Sequence, residues 1–356
     1  MTSQNPVTHR RTGFCCVGVQ MGYKKFLFKF LVCLIISFLP QGLYALDITP
    51  FNTKNQSPLV QIYGLPSIGT ATLLSPGQKE IRVMLDYSSN YVDDANAREH
   101  IILDGETTRM TVHGRYGLTK NMELGLDIPY VIHSGGFLDN FIINYHDFFG
   151  FPQGGRDQAP RNRLFYRYAR NGEEKIRIDS ANDGLGDVSL MAGFKIYHDG
   201  KEFPRAVALR TSLKLPTGDS NSLHGSGSTD ISCWITASDD YKLHYGHGTV
   251  YAAIGFMAMT HGNVLPEQQQ HEVGFGSMGA GWSPLSWIAL KVQLDAHTPF
   301  YKDSQLRELS QNAVQLLIGG TLTLSERTTL DIAVSEDIAT LTSPDVVFHF
   351  DLSIRF

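Results

Sequence analysis

The chain ends VVFHFDLSIRF, and from Phe348 on its residues alternate without a break. Phe348, Phe350, Leu352, Ile354 and Phe356 are apolar, and His349, Asp351, Ser353 and Arg355 stand between them. The same period recurs upstream. EIRVMLDY separates Ile81, Val83, Leu85 and Tyr87 from Arg82, Met84 and Asp86; RMTVHGRYGL separates Met110, Val112 and Tyr116 from Arg109, His113 and Arg115. IALKVQLDAH sets Ile288, Leu290, Val292 and Leu294 against Lys291, Gln293, Asp295 and His297. Successive side chains of a strand point to opposite faces, so a period of two over such lengths predicts two-faced strands.

Twelve candidate strands follow, near 79–92, 106–118, 121–134, 185–198, 203–217, 229–240, 247–260, 271–282, 285–299, 312–324, 327–337 and 346–356. The stretches 229–240 and 271–282, the second of them Gly-rich, are the weakest of them. Tight connections fall at TKN, DGKE, SPLS and SER, and long ones at 93–105, 135–184, 218–228, 261–270, 300–311 and 338–345. Short turns on one rim, long loops on the other and an even strand number are the signature of a bacterial outer-membrane barrel. The expected fold is therefore an all-β, twelve-stranded antiparallel transmembrane β-barrel over 78–356, with one helical extracellular loop.

Composition and the N-terminus sharpen the location. Charged residues make up only 18% of the chain, against roughly 25% in soluble domains. Residues 1–45 carry Arg10, Arg11, Lys24, Lys25 and Lys29, no acidic residue, and the apolar run FLVCLIISFL before QGLYALD. This reads as a secretory signal peptide, with Met21 as an alternative start. Its removal takes five of the 30 basic residues and none of the 35 acidic ones, leaving a formal charge near −10. Such a charge excludes a nucleic-acid partner. It also takes Cys15, Cys16 and Cys33, so Cys233 alone remains and no disulfide or cysteine-based metal site is available. No cofactor is called for. Residues 46–77 hold four prolines and do not alternate cleanly. They form an N-terminal extension, either a plug in the lumen or a periplasmic tail, and the apolar PLVQIYGLP favours the plug.

Candidate chemistry divides into three groups. In the long loop, Phe137, Phe141, Tyr145, Phe148 and Phe149 share one face of an amphipathic helix that Gly150 and Pro152 end. With Arg156 behind it, this helix is either an aromatic gate at the outer mouth or an element that caps the barrel or rests on lipid. The second group is the inward face, with Arg82, Asp86, Arg109, Arg115, Glu123, Asp127, Lys195, Arg210, Lys214, Lys291, Asp295, Asp331, Asp351 and Arg355. Charges facing lipid would cost about 2–4 kcal/mol near the midplane, so these must point inward, to select a solute or to neutralise one another. Third, SLHGSGSTD places His224 near Ser226 and Ser228, as in outer-membrane lipid hydrolases, but Gly/Ser-rich loops produce such neighbours by chance, and no enzyme is expected. HYGHG, with His244 and His247, reads as turn chemistry rather than a metal site.

Several stretches carry a family resemblance. YGLTKNMELGLDIPYV, GLGDVSLMAGFKI and LRTSLKLPTGD resemble outer-membrane barrels associated with phenol degradation or general transport. FLDNFIINYHDFFGFPQGGR and NQSPLVQIYGLP resemble more closely an uncharacterised proteobacterial outer-membrane family known only as a domain of unknown function. The resemblance covers most of 50–356. It implies a bacterial outer-membrane location and passage of small, hydrophobic solutes, and supplies no catalytic residue. The expected function is a narrow channel or uptake barrel; the alternative is a structural or interaction barrel closed by its lumen charges. The expected surroundings are outer-membrane lipid, lipopolysaccharide and the outer-membrane assembly machinery. Phe348, Phe350, Leu352, Ile354 and Phe356 resemble the C-terminal signal read by that machinery.

Overall fold

The computed structural model describes residues 46–150, 155–338 and 342–356, and of Tyr145, His146 and Phe149 the backbone only. Residues 1–45, expected from the sequence to be a signal peptide, lie outside the described residues. The strands are β1 (Lys79–Ala95), β2 (Glu99–Thr119), β3 (Met122–Ser134), β4 (Phe165–Arg170), β5 (Glu173–Ile178), β6 (Asn182–Leu185), β7 (Ser189–His198), β8 (Arg205–Lys214), β9 (Asp230–Lys242), β10 (His247–Met259), β11 (Glu272–Leu285), β12 (Ile288–His297), β13 (Ala313–Ser325), β14 (Thr328–Asp337) and β15 (Val346–Arg355). Two helices, α1 (Asp139–Phe149) and α2 (Arg307–Ser310), lie in loops.

Every neighbour in the sheet is antiparallel, and β15 pairs with β1, Ile354 opposite Ile81 and Phe350 opposite Leu85. That pairing closes the cylinder and leaves no edge, which backbone in hydrocarbon cannot tolerate. β6 and β7 both pair with β3, one above the other, and together make a single wall strand interrupted at residues 186–188. The wall thus has twelve strands. The alternation sorts the faces as chemistry demands. Ile81, Val83, Met110, Val112, Ile128, Leu190, Ile254, Phe256, Leu290 and Ile318 are exposed on the outside, forming a belt suited to hydrocarbon. Arg82, Asp86, Arg109, Arg115, Arg210, Lys214, Lys291, Asp331 and Asp351 are buried on the inside. The two weakest stretches both form wall strands, β9 and the Gly-rich β11.

The structure differs from the sequence expectation at the long-loop rim. Residues 93–105 are not a loop: β1 and β2 run on as a hairpin, and β4 adds to the extended part of β2 with β5 beyond it. The reason is burial. Ile101 and Leu103 of the extension pack with Tyr166 and Tyr168 of β4, so this rim needs a sheet to carry its own apolar core.

Residues 46–77 lie inside the barrel. They enter at the short-turn rim, where Leu46 meets His247, and rise to the long-loop rim near 55–63. They then descend past Trp234 and Arg210 to rejoin the wall at β1. At the top of this path Leu59, Val60, Ile62, Tyr63, Leu65 and Ile68 share one apolar cluster with Tyr166, Tyr168, Trp234, Tyr251, Phe275, Phe300 and Tyr301. The largest hydrophobic core is therefore a lid of aromatic residues inside the long-loop end.

Ile254, 74% exposed on the outward face of β10, tests the membrane belt. Ile254→Arg should cost about 2–4 kcal/mol and remove the folded, fast-migrating band on unheated gels, whereas Ile254→Val should leave it intact.

Candidate functional site

The luminal segment has no strand or helix over 46–77, so its peptide groups lack the partners that regular structure provides. Buried backbone donors and acceptors must still be paired. The wall supplies the partners through inward side chains. Lys291 Nζ donates to the Thr49 carbonyl at 3.0 Å, Lys214 Nζ to Ile62 at 3.2 Å and Arg210 Nη2 to Thr70 at 2.6 Å. Trp234 Nε1 donates to Ile68 at 2.8 Å and the Tyr301 hydroxyl to Leu59 at 2.9 Å. In the other direction, the Gly64 amide donates to Asp230 at 2.7 Å and the Leu74 amide to Glu123 at 2.8 Å. Gly64 lets the segment approach the wall closely there, since a Cβ would lie 3.0–3.1 Å from the Cβ atoms of Asp230 and Lys214.

The same side chains neutralise one another. A chain of ion pairs, Asp351–Arg82–Glu80–Arg115–Glu123–Arg210, crosses five strands at the short-turn half, each step between 2.7 and 3.0 Å. Arg355 joins it through Glu80 at 2.8 Å and reaches Asp47 of the segment at 3.2 Å. Lys291 pairs with Asp331 at 2.8 Å and lies over the Phe51 ring at 4.1 Å. Lys214 sits between Asp187, at 2.6 Å, and Asp230, at 3.0 Å; the interruption between β6 and β7 aims Asp187 inward. Asp86 accepts from His349 at 2.7 Å and from Thr53 of the segment at 2.8 Å. Asp127 pairs with His113. Two of the expected lumen charges stand apart. Asp295 accepts from Gln293 at 2.9 Å and Arg109 donates to the Gln61 carbonyl at 3.4 Å, and neither has an opposite charge at ion-pair distance among the described residues.

The space left is small. A cavity of about 30 Å³ between segment and wall is lined by Asn52, Ser67, Arg82, Arg115, Arg210 and Trp234. A second, of about 50 Å³, is lined by Asn52, Lys54, Ser67, Met84, Asp86 and Arg109. Both lie mainly on the side of β1–β3, β7 and β8; a third, of about 20 Å³, lies across the segment from them, lined by Leu65, Ile68, Phe275, Asp295 and His297.

The aromatic helix is not across the mouth. Leu138 and Ile142 pack on Val346, with Tyr87, Val334 and Phe348 beside them, all on the outward face of the wall. Phe141 meets Phe348 edge-on at 6.1 Å and Phe137 lies 5.4 Å from Tyr87. Phe148 is 82% exposed; the side chains of Tyr145 and Phe149 lie outside the described residues. The gate reading is thus corrected to a helix on the outer wall. Two residues dock it. Glu106, pointing outward, accepts from the Leu138 amide at 2.6 Å and the Phe137 amide at 3.0 Å, which suits a carboxylate at a helix start. Arg156, buried, pairs with Asp139 at 2.7 Å and with Asp345. A charged residue in an outward register, as Glu106 is, was the available sequence signal. A crevice of about 350 Å³ between α1 and β13–β15 opens on this outer face.

No Ser–His pair forms in the outer loop. His224 turns to Asn182 at 2.7 Å and stacks on His133, and burial keeps its imidazole below the ordinary histidine range. Ser226 and Ser228 are buried and bonded to each other, with Lys214 on Ser226 and Asp230 on Ser228. His247 holds the Leu46 carbonyl at 2.8 Å.

Lys214→Met should leave Asp187 and Asp230 buried together without their cation and cost about 3–5 kcal/mol. Asp295→Asn, which breaks no ion pair, should cost far less. The temperature at which the folded gel band disappears measures both.

The comparisons with known proteins agree with this architecture. Residues 28–356 match the family described as "Protein of unknown function (DUF3187)". No curated protein matches the chain. Among solved structures it is similar to the COG4313 outer membrane channel from Pseudomonas putida F1, at 12% identity and TM-score 0.52, over 80% of this chain and 97% of that one. Weaker likenesses are to the NanC porin, at 8% identity and TM-score 0.40 over 78% and 98% of the two chains, and to the Ralstonia pickettii toluene transporter TbuX, at 9% and 0.30 over 79% and 89%. At these identities only the first likeness bears on the chain, and it bears on the fold. Because the family match runs from residue 28 to the last residue, the protein belongs to the DUF3187 family of proteins of unknown function.

Proposed function

We propose that this barrel resides in the bacterial outer membrane and is a narrow channel for small solutes, hydrophobic ones favoured, held closed by its own N-terminal segment. The observation that carries this reading is the arrangement of residues 46–77. They form a loop of chain that enters and leaves by the same rim and is bound to the wall by separate side-chain contacts. Such a loop can shift or withdraw without unthreading the barrel. The solved neighbour with a similar fold is an outer membrane channel, which supports the reading. The aromatic cluster at the long-loop end offers an apolar solute its first surface. It stands at the mouth, where periodicity alone would have put the loop helix.

Magnitudes decide how the segment moves. Six apolar side chains of its apex are buried, each worth about 1.5–3 kcal/mol, so full withdrawal costs on the order of 10 kcal/mol. Left to thermal motion that state is populated roughly one time in ten million. Opening is therefore a partial shift along the side where the two cavities already separate segment from wall, or a withdrawal driven from the short-turn rim. The second reading, a structural barrel, draws on the near-complete pairing of the lumen charges.

The experiment is conductance in planar bilayers and solute-driven swelling of liposomes. Wild type should conduct weakly. Deletion of residues 47–76 should raise conductance at least tenfold, and Tyr63→Ala, which removes the ring stacked on Phe300 at 4.9 Å, should produce flickering openings. A folded deletion variant and a folded Tyr63→Ala variant that are both as silent as wild type would establish the structural reading instead.

A further inference from the structure

The crevice between α1 and the outer wall, about 350 Å³, is several times larger than the luminal cavities. Its floor is two rows of outward side chains, each crossing three neighbouring strands. In the upper row Leu316 of β13 stands opposite Glu336 of β14, and Glu336 opposite Val346 of β15. In the lower row, one outward position nearer the middle of the wall, Ile318, Val334 and Phe348 stand in the same order. Phe141 and Ile142 of α1 form the side.

The two rows differ in chemistry. The lower is wholly apolar and leads down to Ile332 and Phe350, which are exposed in the belt. The upper holds Glu336, a half-buried carboxylate with no hydrogen-bond or ion-pair partner among the described residues. Arg156, at the same rim, is already engaged by Asp139 and Asp345. A carboxylate beside hydrocarbon is costly until something donates to it.

A polar end at the rim with apolar surface beneath it is the order of a membrane lipid lying along the wall. The belt touches hydrocarbon from one side only. Here α1 adds a second wall, so a chain in the crevice buries more area than one lying against the bare belt. Glu336 narrows the choice of lipid further. It repels a phosphate and suits a hydroxyl or an amide N–H. The long-loop rim faces the outer leaflet, whose glycolipid carries hydroxylated and amide-linked chains.

We propose that this crevice binds one acyl chain of an outer-leaflet glycolipid of the lipopolysaccharide class, with a hydroxyl or amide of that lipid donating to Glu336. The site rests on the outer-membrane location proposed above and not on whether the barrel conducts.

The test uses the full mature barrel, delipidated in detergent and checked for its folded gel band. Lipid A and phosphatidylethanolamine are added at equal concentration, and bound lipid is counted by native mass spectrometry. Phosphatidylethanolamine is the discriminating competitor, because its ammonium also suits a carboxylate. One retained lipid A per barrel is expected. Ile318→Trp, which fills the crevice from an exposed position, should weaken retention at least tenfold. Glu336→Leu should weaken it at least fivefold and abolish the preference for lipid A. Ile254→Trp, on the belt away from the crevice, should change nothing. No retained lipid A, equal or stronger retention of phosphatidylethanolamine, or unchanged retention in folded Ile318→Trp would each overturn the site. Cell fractionation checks the location separately, so a barrel recovered from the outer membrane that retains no lipid A removes the site alone.

Discussion

An irregular stretch of backbone inside a closed barrel must find in the wall every hydrogen-bond partner that its own turns, as at 57–63, do not supply. The rest of this structure follows from that constraint. The strands spend their own peptide groups on each other, so only inward side chains remain to serve the carbonyls and amides of residues 46–77. Lys291, Lys214, Arg210, Trp234 and Tyr301 each reach a carbonyl of the segment, and Asp230 and Glu123 each hold an amide. Long cationic side chains are well fitted to this work, because they reach from the wall and bring donors with no acceptor of their own to satisfy. The carboxylates then balance the cations. The buried charges thus serve two purposes at once: they close the electrostatics of the lumen and bind the segment that fills it.

The interior consequently has two ends of different character. Toward the short turns, ion pairs knit β15, β1, β2, β3 and β8 into one network. Toward the long loops the segment's apex meets an aromatic core that the wall strands alone could not complete. A polar network resists displacement through geometry, an apolar cluster through area. Between them the fit is looser, and small cavities separate segment from wall both on the side of β1–β3, β7 and β8 and on the side of β11–β13.

Outside the wall, α1 shows how a charge can sit on the lipid-facing register. Glu106 is stabilised there because the helix start brings two amides onto it and Tyr87 adds a hydroxyl. The helix in turn covers outward apolar residues of β14 and β15 near the long-loop rim. Arg156, bridging Asp139 and Asp345, fixes helix and wall together.

Alternation alone determined the strands, which face of each meets lipid, and the closure of β15 on β1, because a period of two leaves a charged row one permissible side in a membrane. Composition and loop lengths determined the number of strands and the two unlike rims. Partnership was beyond their reach. That Asp86 turns to His349 rather than to Arg109 across the strand pair, or that Lys214 lies between Asp187 and Asp230, depends on side chains whose residues lie tens to hundreds of positions apart. The periodicity of 137–149 announced a helix with an apolar face, but a face has no direction until something buries it, and Phe348 and Val346 did so from outside. The apolar PLVQIYGLP marked a segment in need of burial. Only the tertiary structure decided that its burial would complete the core of the long-loop end, because that core is assembled from loops and strands that meet nowhere along the chain.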